Sequence, residues 1–225
     1  MQTKILSTIG PITCQISQIR KLLKYGDILR TNGSHNTLNW HKKISKLIKS
    51  VNPEAVHLFD IPGIKPRTKN QKTILINKGE KICLFYGKKI NNKSKLKIIE
   101  LTKPLPYLTN KKKNFSLSDG QYLFKLLDYK KNYLIGKSLS KFKLLPHRGL
   151  NIPEANYDNS LQLKHYKKFL EKSKSIKFDA IGLSYIQTRK TIDFIKNLYK
   201  DKIIVSKIEN LDGLKNIQEI VDASD

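Results

Sequence analysis

Residues 4–60 read KILSTIGPITCQISQIRKLLKYGDILRTNGSHNTLNWHKKISKLIKSVNPEAVHLFD, and this stretch decides the fold. Lys4 to Ile9 is a strand-like run that ends at Gly10-Pro11, a strong turn signal. Gln15 to Lys24 places Ile16, Ile19, Leu22 and Leu23 on one helical face, and Gly26 stops that helix. Ile28-Leu29 begins a second strand. Leu38 to Ser50 carries Trp40, Ile44, Leu47 and Ile48 at helical spacing, with Thr37 or Asn36 as the cap. Ala55 to Phe59 is a third apolar run, closed by Asp60. Strand, helix, strand, helix, strand at this spacing predicts a parallel α/β unit.

The rhythm changes further along the chain. Between residues 69 and 153 there are short alternating runs at Thr73 to Ile76, Lys81 to Tyr86, Lys97 to Leu101, Gln121 to Leu127 and Tyr133 to Gly136. Lys, Asn and Gly separate them, and Ser118-Asp119-Gly120 is a hairpin-type turn. This pattern predicts an inserted all-β module. The α/β alternation then resumes with a helix over Asp158 to Lys174, a strand over Phe178 to Ile186 and a helix over Arg189 to Tyr199. A strand over Ile203 to Ile208 and a helix starting at Leu214 to Val221 follow. The expected organisation is residues 1–68 and 154–225 as one α/β part, and 69–153 as the insertion.

Composition narrows the function classes. The chain has 225 residues, 39% of them hydrophobic, enough for a packed core. No apolar run approaches the roughly 20 residues that span a bilayer, so no membrane role is expected, and a cytoplasmic setting is. Two cysteines, Cys14 and Cys83, cannot build a disulfide framework or a four-cysteine zinc site. Lys and Arg number 44 against 18 Asp and Glu, a net charge of +26. Such a balance points toward nucleic acid. Its make-up argues otherwise: the only arginines are Arg20, Arg30, Arg67, Arg148 and Arg189, whereas bidentate phosphate and base recognition favours Arg. A solvated lysine surface is the simpler reading, and nucleic-acid binding ranks last.

Polar residues collect where the predicted strands end. They are Arg30 to His35 after the second, Asp60 to Gly63 after the third, Ser184 on the fourth, and Ser206 to Glu209 on the fifth. In parallel α/β folds the carboxyl ends of the strands converge on one face, which is where active sites sit. Each residue alone has a plain explanation: Lys207 as a surface lysine, Glu209 as its partner, His35 as a loop residue capping a helix.

Together the segments resemble the pyruvate kinase family. Thr3 to Pro11 is similar to that family's opening strand and turn, Arg30-Thr31-Asn32-Gly33-Ser34-His35 to its Arg-x-Asn-x-Ser-His loop, and Asp60 to Thr68 to its Asp-x-x-Gly-x-x-x-Arg-Thr segment. Ser118-Asp119-Gly120 resembles its β-domain turn, Gly149 to Pro153 the exit from that domain, and Ile204 to Asn210 the strand bearing its lysine and glutamate. The resemblance implies a partial (β/α)8 TIM barrel of five βα units, with a small β-barrel domain inserted after strand 3. It implies phosphoryl transfer from phosphoenolpyruvate to ADP, giving pyruvate and ATP in glycolysis. Arg30 and Lys207 would hold the phosphoryl group, Lys207 would steady the enolate, and Ser184 would join them at the substrate. Glu209 would be a ligand to Mg²⁺. Asn32, Ser34 and Asp60 match a monovalent-cation site; Asn32, His35, Arg67 and Arg148 match nucleotide contacts. The family is homo-oligomeric.

Departures from the pattern carry expectations of their own. Ile61 replaces a Thr that helps ligate potassium, and Lys65 stands where potassium-dependent members carry Glu, which implies that K⁺ is dispensable. Pro66 precedes Arg67, Gln187 replaces a common Arg, and Gly33 replaces a bulky aromatic. The family's Gly-Asp segment with the second Mg²⁺ ligand has no counterpart in residues 1–225. Two rival readings therefore stand beside a phosphotransferase seen as a partial chain: a non-catalytic or repurposed homologue, and, well behind, a nucleic-acid-binding protein. Five parallel strands cannot close a barrel, so open apolar edges are expected.

Overall fold

The computed structural model describes residues 3–87, 96–108, 114–153 and 155–225. They fall into two compact units, one of Met1–Gly63 with Asn159–Asp225, the other of Ile64–Asp158.

The first unit opens with β1 (Leu6–Thr8), α1 (Ile16–Tyr25), β2 (Ile28–Asn32), α2 (Leu38–Val51) and β3 (Val56–Ile61). Helix α1 ends where the Gly26 N–H donates to the Leu22 carbonyl at 2.8 Å. Helix α2 starts on Thr37, whose hydroxyl accepts from the Trp40 N–H at 3.2 Å. Its buried face, His41, Ile44, Ser45 and Ile48, has the three-and-four spacing of an amphipathic helix. Ile44 and Ile48 pack with Ile9, Ile19, Leu29 and Ala55.

The second unit contains β4 (Ile74–Ile76), β5 (Lys81–Phe85), β6 (Lys97–Glu100), β7 (Tyr107–Leu108) and β8 (Asn114–Leu117). It continues with β9 (Tyr122–Lys130), β10 (Tyr133–Ser138), β11 (Phe142–Leu144), β12 (Leu150–Asn151) and β13 (Ala155–Asn156). Six strands form one sheet in the order β12-β8-β9-β10-β5-β6, and β11-β4 and β13-β7 form two further pairs. All of these pairings are antiparallel except β5 with β6. Ser118, Asp119 and Gly120 take φ values of 55°, 52° and 94° in the turn between β8 and β9. Asp and Gly tolerate that left-handed region, which is what closes so short a connection. The core of this unit is aromatic: the Phe115 and Phe124 rings stack with centroids 4.8 Å apart, and Phe142 meets Phe124 edge-on.

The chain completes the first unit with α3 (Asn159–Lys172), β14 (Ala180–Ser184), α4 (Arg189–Leu198), β15 (Ile203–Lys207), α5 (Leu211–Lys215) and α6 (Ile217–Ala223). Its sheet is parallel throughout, in the order β1-β2-β3-β14-β15. This is an α/β fold in which strand order in space follows strand order in sequence. Strand β14, paired on one side with β3 and on the other with β15, is buried along its whole length, as a strand covered on both faces must be. The predicted last helix differs: it is two helices broken at Asn216, whose side chain donates to the Gln187 carbonyl at 2.9 Å. Apolar side chains stand exposed at both edges of the sheet, Ile5 and Leu6 at β1 and Ile203 on β15, and Leu214 and Val221 are exposed on α5 and α6. Among the described residues, no helix is long and apolar enough to cross a membrane.

One polar network ties α2 to the sheet. His57 on β3 is fully buried; its Nδ1 lies 3.0 Å from the Lys177 carbonyl and its Nε2 2.9 Å from the Thr31 hydroxyl. A carbonyl can only accept, so Nδ1 carries the proton and Nε2 accepts from Thr31. Burial holds the imidazole neutral and lowers its pKa to about 4. Ser45 donates to the same Lys177 carbonyl, and Lys49 reaches Asp179 at 2.9 Å.

Candidate active site

Side chains along a strand alternate between faces with period two. The register pairs Thr8 with Arg30, Asn32 with Asp60, Asp60 with Gly182, and Ser184 with Lys207. Arg30, Asp60, Ser184 and Lys207 therefore project from the same face, at the carboxyl ends of four neighbouring strands. Gly182 is part of this arrangement: a Cβ there would stand 3.2 Å from the Asp60 Cα and 3.1 Å from a Leu58 methyl.

Asp60 is the hub. Its side chain is 1% exposed, and the Arg30, Ser184 and Lys207 side chains donate to it. Arg30 grips Oδ2 with Nε at 2.8 Å and Nη2 at 2.5 Å. Lys207 Nζ lies 2.9 Å from Oδ2 and 3.2 Å from Oδ1, and the Ser184 hydroxyl donates to Oδ1 at 3.1 Å. A carboxylate removed from water to this degree is stable only when paired and hydrogen-bonded. Thr8 holds the other side of Arg30, accepting from Nη1 at 2.8 Å. The two cations keep part of their surface in solvent, 22% for Arg30 and 32% for Lys207, so an anion can reach them. Glu209 stands beside Lys207 with Oε1 at 3.7 Å, and its Oε2 accepts the Tyr185 N–H at 3.0 Å.

Asn32 ends β2, and the loop after it carries Ser34 and His35. Asn32 Oδ1 accepts the Ser34 N–H at 2.9 Å, so the side chain shapes its own turn. The unusual Gly33 has a local cause. Its N–H donates to the Asp60 carbonyl at 2.8 Å, and a Cβ would stand 2.9 Å from both that oxygen and the Phe169 ring of α3. Phe169 fills the space a larger residue would need.

Arg67, Arg148 and Lys65 belong to the second unit. Arg67 Nη1 donates to the His147 carbonyl at 3.2 Å, and Arg148 is fixed through its backbone to Thr68. Lys65 Nζ lies 2.7 Å from Asp119. Thr8 and Lys103 were not distinguishable in the sequence. Burial and the Arg67 charge lower the Lys103 ammonium to about 8, a shift that needs the folded neighbourhood. Among the described residues no group of three or more His, Cys, Asp or Glu is gathered for a metal. Beside Lys207, Glu209 offers a partly exposed carboxylate, which suits a hard cation held by one or two carboxylates with water and phosphate oxygens.

A family profile described as pyruvate kinase, barrel domain, matches residues 1–225. The chain is similar to the pyruvate kinase of Thermococcus litoralis, 30% identical over 235 residues, covering 100% of this chain and 49% of that protein. It is also similar to the pyruvate kinases of Methanocaldococcus jannaschii, 28% identical over 100% of this chain and 48% of that protein, and Thermoplasma acidophilum, 25% over 100% and 40%. The chain thus spans about half the length, or less, of these curated relatives.

Proposed function

The chain belongs to the pyruvate kinase family, and from that premise we propose that its strand-end site serves phosphoryl transfer from phosphoenolpyruvate to ADP. The architecture that goes with this reading is part of a (β/α)8 barrel, five βα units long, with residues 69–153 as a β-domain inserted after the third strand. A cytoplasmic location goes with a glycolytic reaction. The observation that carries the proposal is the pairing of Arg30 and Lys207 on one buried carboxylate, with the Glu209 carboxylate beside them.

Transfer of a phosphoryl group asks little covalent chemistry of a protein; it asks for positioning and for charge where charge builds up. Arg30, gripped by Asp60 and Thr8, presents a fixed guanidinium edge to the phosphoryl oxygens. Lys207 would meet the enol oxygen released as the bond between it and phosphorus breaks, and its ammonium would stabilise the negative charge left there. Ser184 and Asp60 hold Lys207 in place from the protein side. Glu209 would hold Mg²⁺, which when bound supplies positive charge against the phosphoryl oxygens. Potassium is dispensable in this reading. The Ile61 side chain has no oxygen to offer, and both Asp60 side-chain oxygens already accept from Arg30, Lys207 and Ser184.

Pyruvate formation from phosphoenolpyruvate, ADP and Mg²⁺, followed by coupled reduction, tests the proposal. It expects a rate that Lys207→Ala abolishes in a variant that still folds, and that is the same with and without potassium. No pyruvate at saturating Mg²⁺ contradicts catalysis by this chain, and strong stimulation by potassium contradicts the cation assignment.

A further inference from the structure

Ser184 closes β14, and Tyr185 follows in the left-handed region with φ of 66°. A bulky side chain is a true outlier there and persists only where its surroundings hold it. Helix α3 supplies the hold. Gln162 and Tyr166 are spaced four apart, so they share a face, and both are buried, at 1% and 0% exposure. A glutamine on the buried face of a helix needs hydrogen-bond partners. Gln162 Nε2 donates to the Ser184 carbonyl at 2.7 Å and reaches the Tyr185 carbonyl at 3.5 Å. The Tyr166 hydroxyl donates to the same Ser184 carbonyl and is itself bonded to Gln162. Burial raises the pKa of the Tyr166 phenol, so it remains a donor. Gly63 closes the corner from the other side: a Cβ there would stand 2.8 Å from the Tyr185 Cβ and 2.9 Å from the Ser184 oxygen.

The turned backbone has one consequence for the site. It aims the Tyr185 N–H at Glu209 Oε2, 3.0 Å away, while Oε1 faces Lys207. A hydrogen bond from a fixed amide sets which oxygen of a carboxylate stays available and in which direction. We infer that Tyr166 and Gln162 are positioning residues for Glu209: by clamping the Ser184 carbonyl they lock the corner whose N–H orients the carboxylate. That Glu209 holds a divalent cation rests on the function proposed above; the clamp and its effect on the carboxylate do not.

The test is a ¹⁵N-labelled preparation of the whole chain, read at the Tyr185 amide and then titrated with Mn²⁺. The Tyr185 amide proton is expected far downfield. It moves upfield in Glu209→Gln, where the acceptor loses its charge, and also in Tyr166→Phe, which removes a hydroxyl that bonds the Ser184 carbonyl. Leu170→Val, buried on the same helix, lowers the melting temperature and leaves that signal in place. Mn²⁺ affinity falls about tenfold in Tyr166→Phe, the low end of what loss of a hydrogen-bonded support costs a metal ligand. Should Tyr166→Phe fail to fold, Gln162→Met removes the second donor and carries the same reading. An unmoved Tyr185 signal in the folded variant overturns the inference. A signal that moves in a chain whose Mn²⁺ binding is absent, or indifferent to Glu209→Gln, supports the clamp and overturns the metal role of Glu209.

Discussion

The two units bury different kinds of polar group. The parallel unit buries a carboxylate, two imidazoles and two carboxamides: Asp60, His41, His57, Gln162 and Gln187. The fully buried polar side chains of the β unit, among the described residues, are hydroxyls only: Thr68, Ser116, Ser118 and Ser138. Its ion pairs lie at the surface, as Lys65–Asp119 does with Asp119 85% exposed. Burying an ionisable group costs stability unless its partners are complete. The parallel unit therefore carries, at the strand ends where Arg30 and Lys207 are held, the cost of a buried carboxylate that the β unit, among the described residues, does not have. Most of the +26 charge, by contrast, is solvated lysine.

Substitutions rank that contrast by size. Asp60→Ala leaves two partly buried cations without their shared anion and is expected to destabilise the chain by about 3 kcal/mol, read from denaturant midpoints. A loss under about 1 kcal/mol would mean that the hub is no more costly to break than a surface pair.

Acidification comes next. The folded pKa of His57, about 4, lies below its ordinary 6.5, so the native state binds fewer protons than the unfolded chain between those values. Its contribution is complete above pH 6.5 and falls as pH drops toward 4, by roughly 3 kcal/mol in all. Equal urea midpoints at pH 7 and pH 4.5 would contradict the buried neutral assignment.

Gly63→Ala follows, because a Cβ has no room beside Tyr185 and the Ser184 carbonyl. About 1–3 kcal/mol of destabilisation is expected, and an unchanged thermal midpoint would show that the corner yields. Asp119→Asn is the smallest change. It keeps the left-handed turn conformation while removing the charge facing Lys65, and should shift stability by no more than about 0.5 kcal/mol.

The same contrast explains what the sequence made legible. The βα alternation was readable because apolar spacing switches between periods of two and about 3.6, and a strand such as β14 is a continuous apolar run. Arg30, Asp60, Ser184 and Lys207 were readable as strand-end residues. Their convergence on one carboxylate was not, since it depends on register between strands separated by up to 147 residues in the chain. Tyr185 gives no sign of its positive φ, and Gln162 and Tyr166 look like an ordinary helical pair until the Ser184 carbonyl is placed between them and Glu209. Strands β7, β12 and β13 have two residues each, too few for any periodicity. The break at Asn216 was hidden because Leu214, Ile217 and Val221 keep helical spacing across it.

The proposed function requires that Arg30 and Lys207, held by Asp60, form an anion site. Calorimetric titration of the chain with phosphoenolpyruvate in the presence of Mg²⁺ tests this most directly. One site is expected, lost in Lys207→Ala and kept in Asp119→Asn, with both variants folded. Binding that survives Lys207→Ala unchanged, or no binding by the unaltered chain, would contradict it.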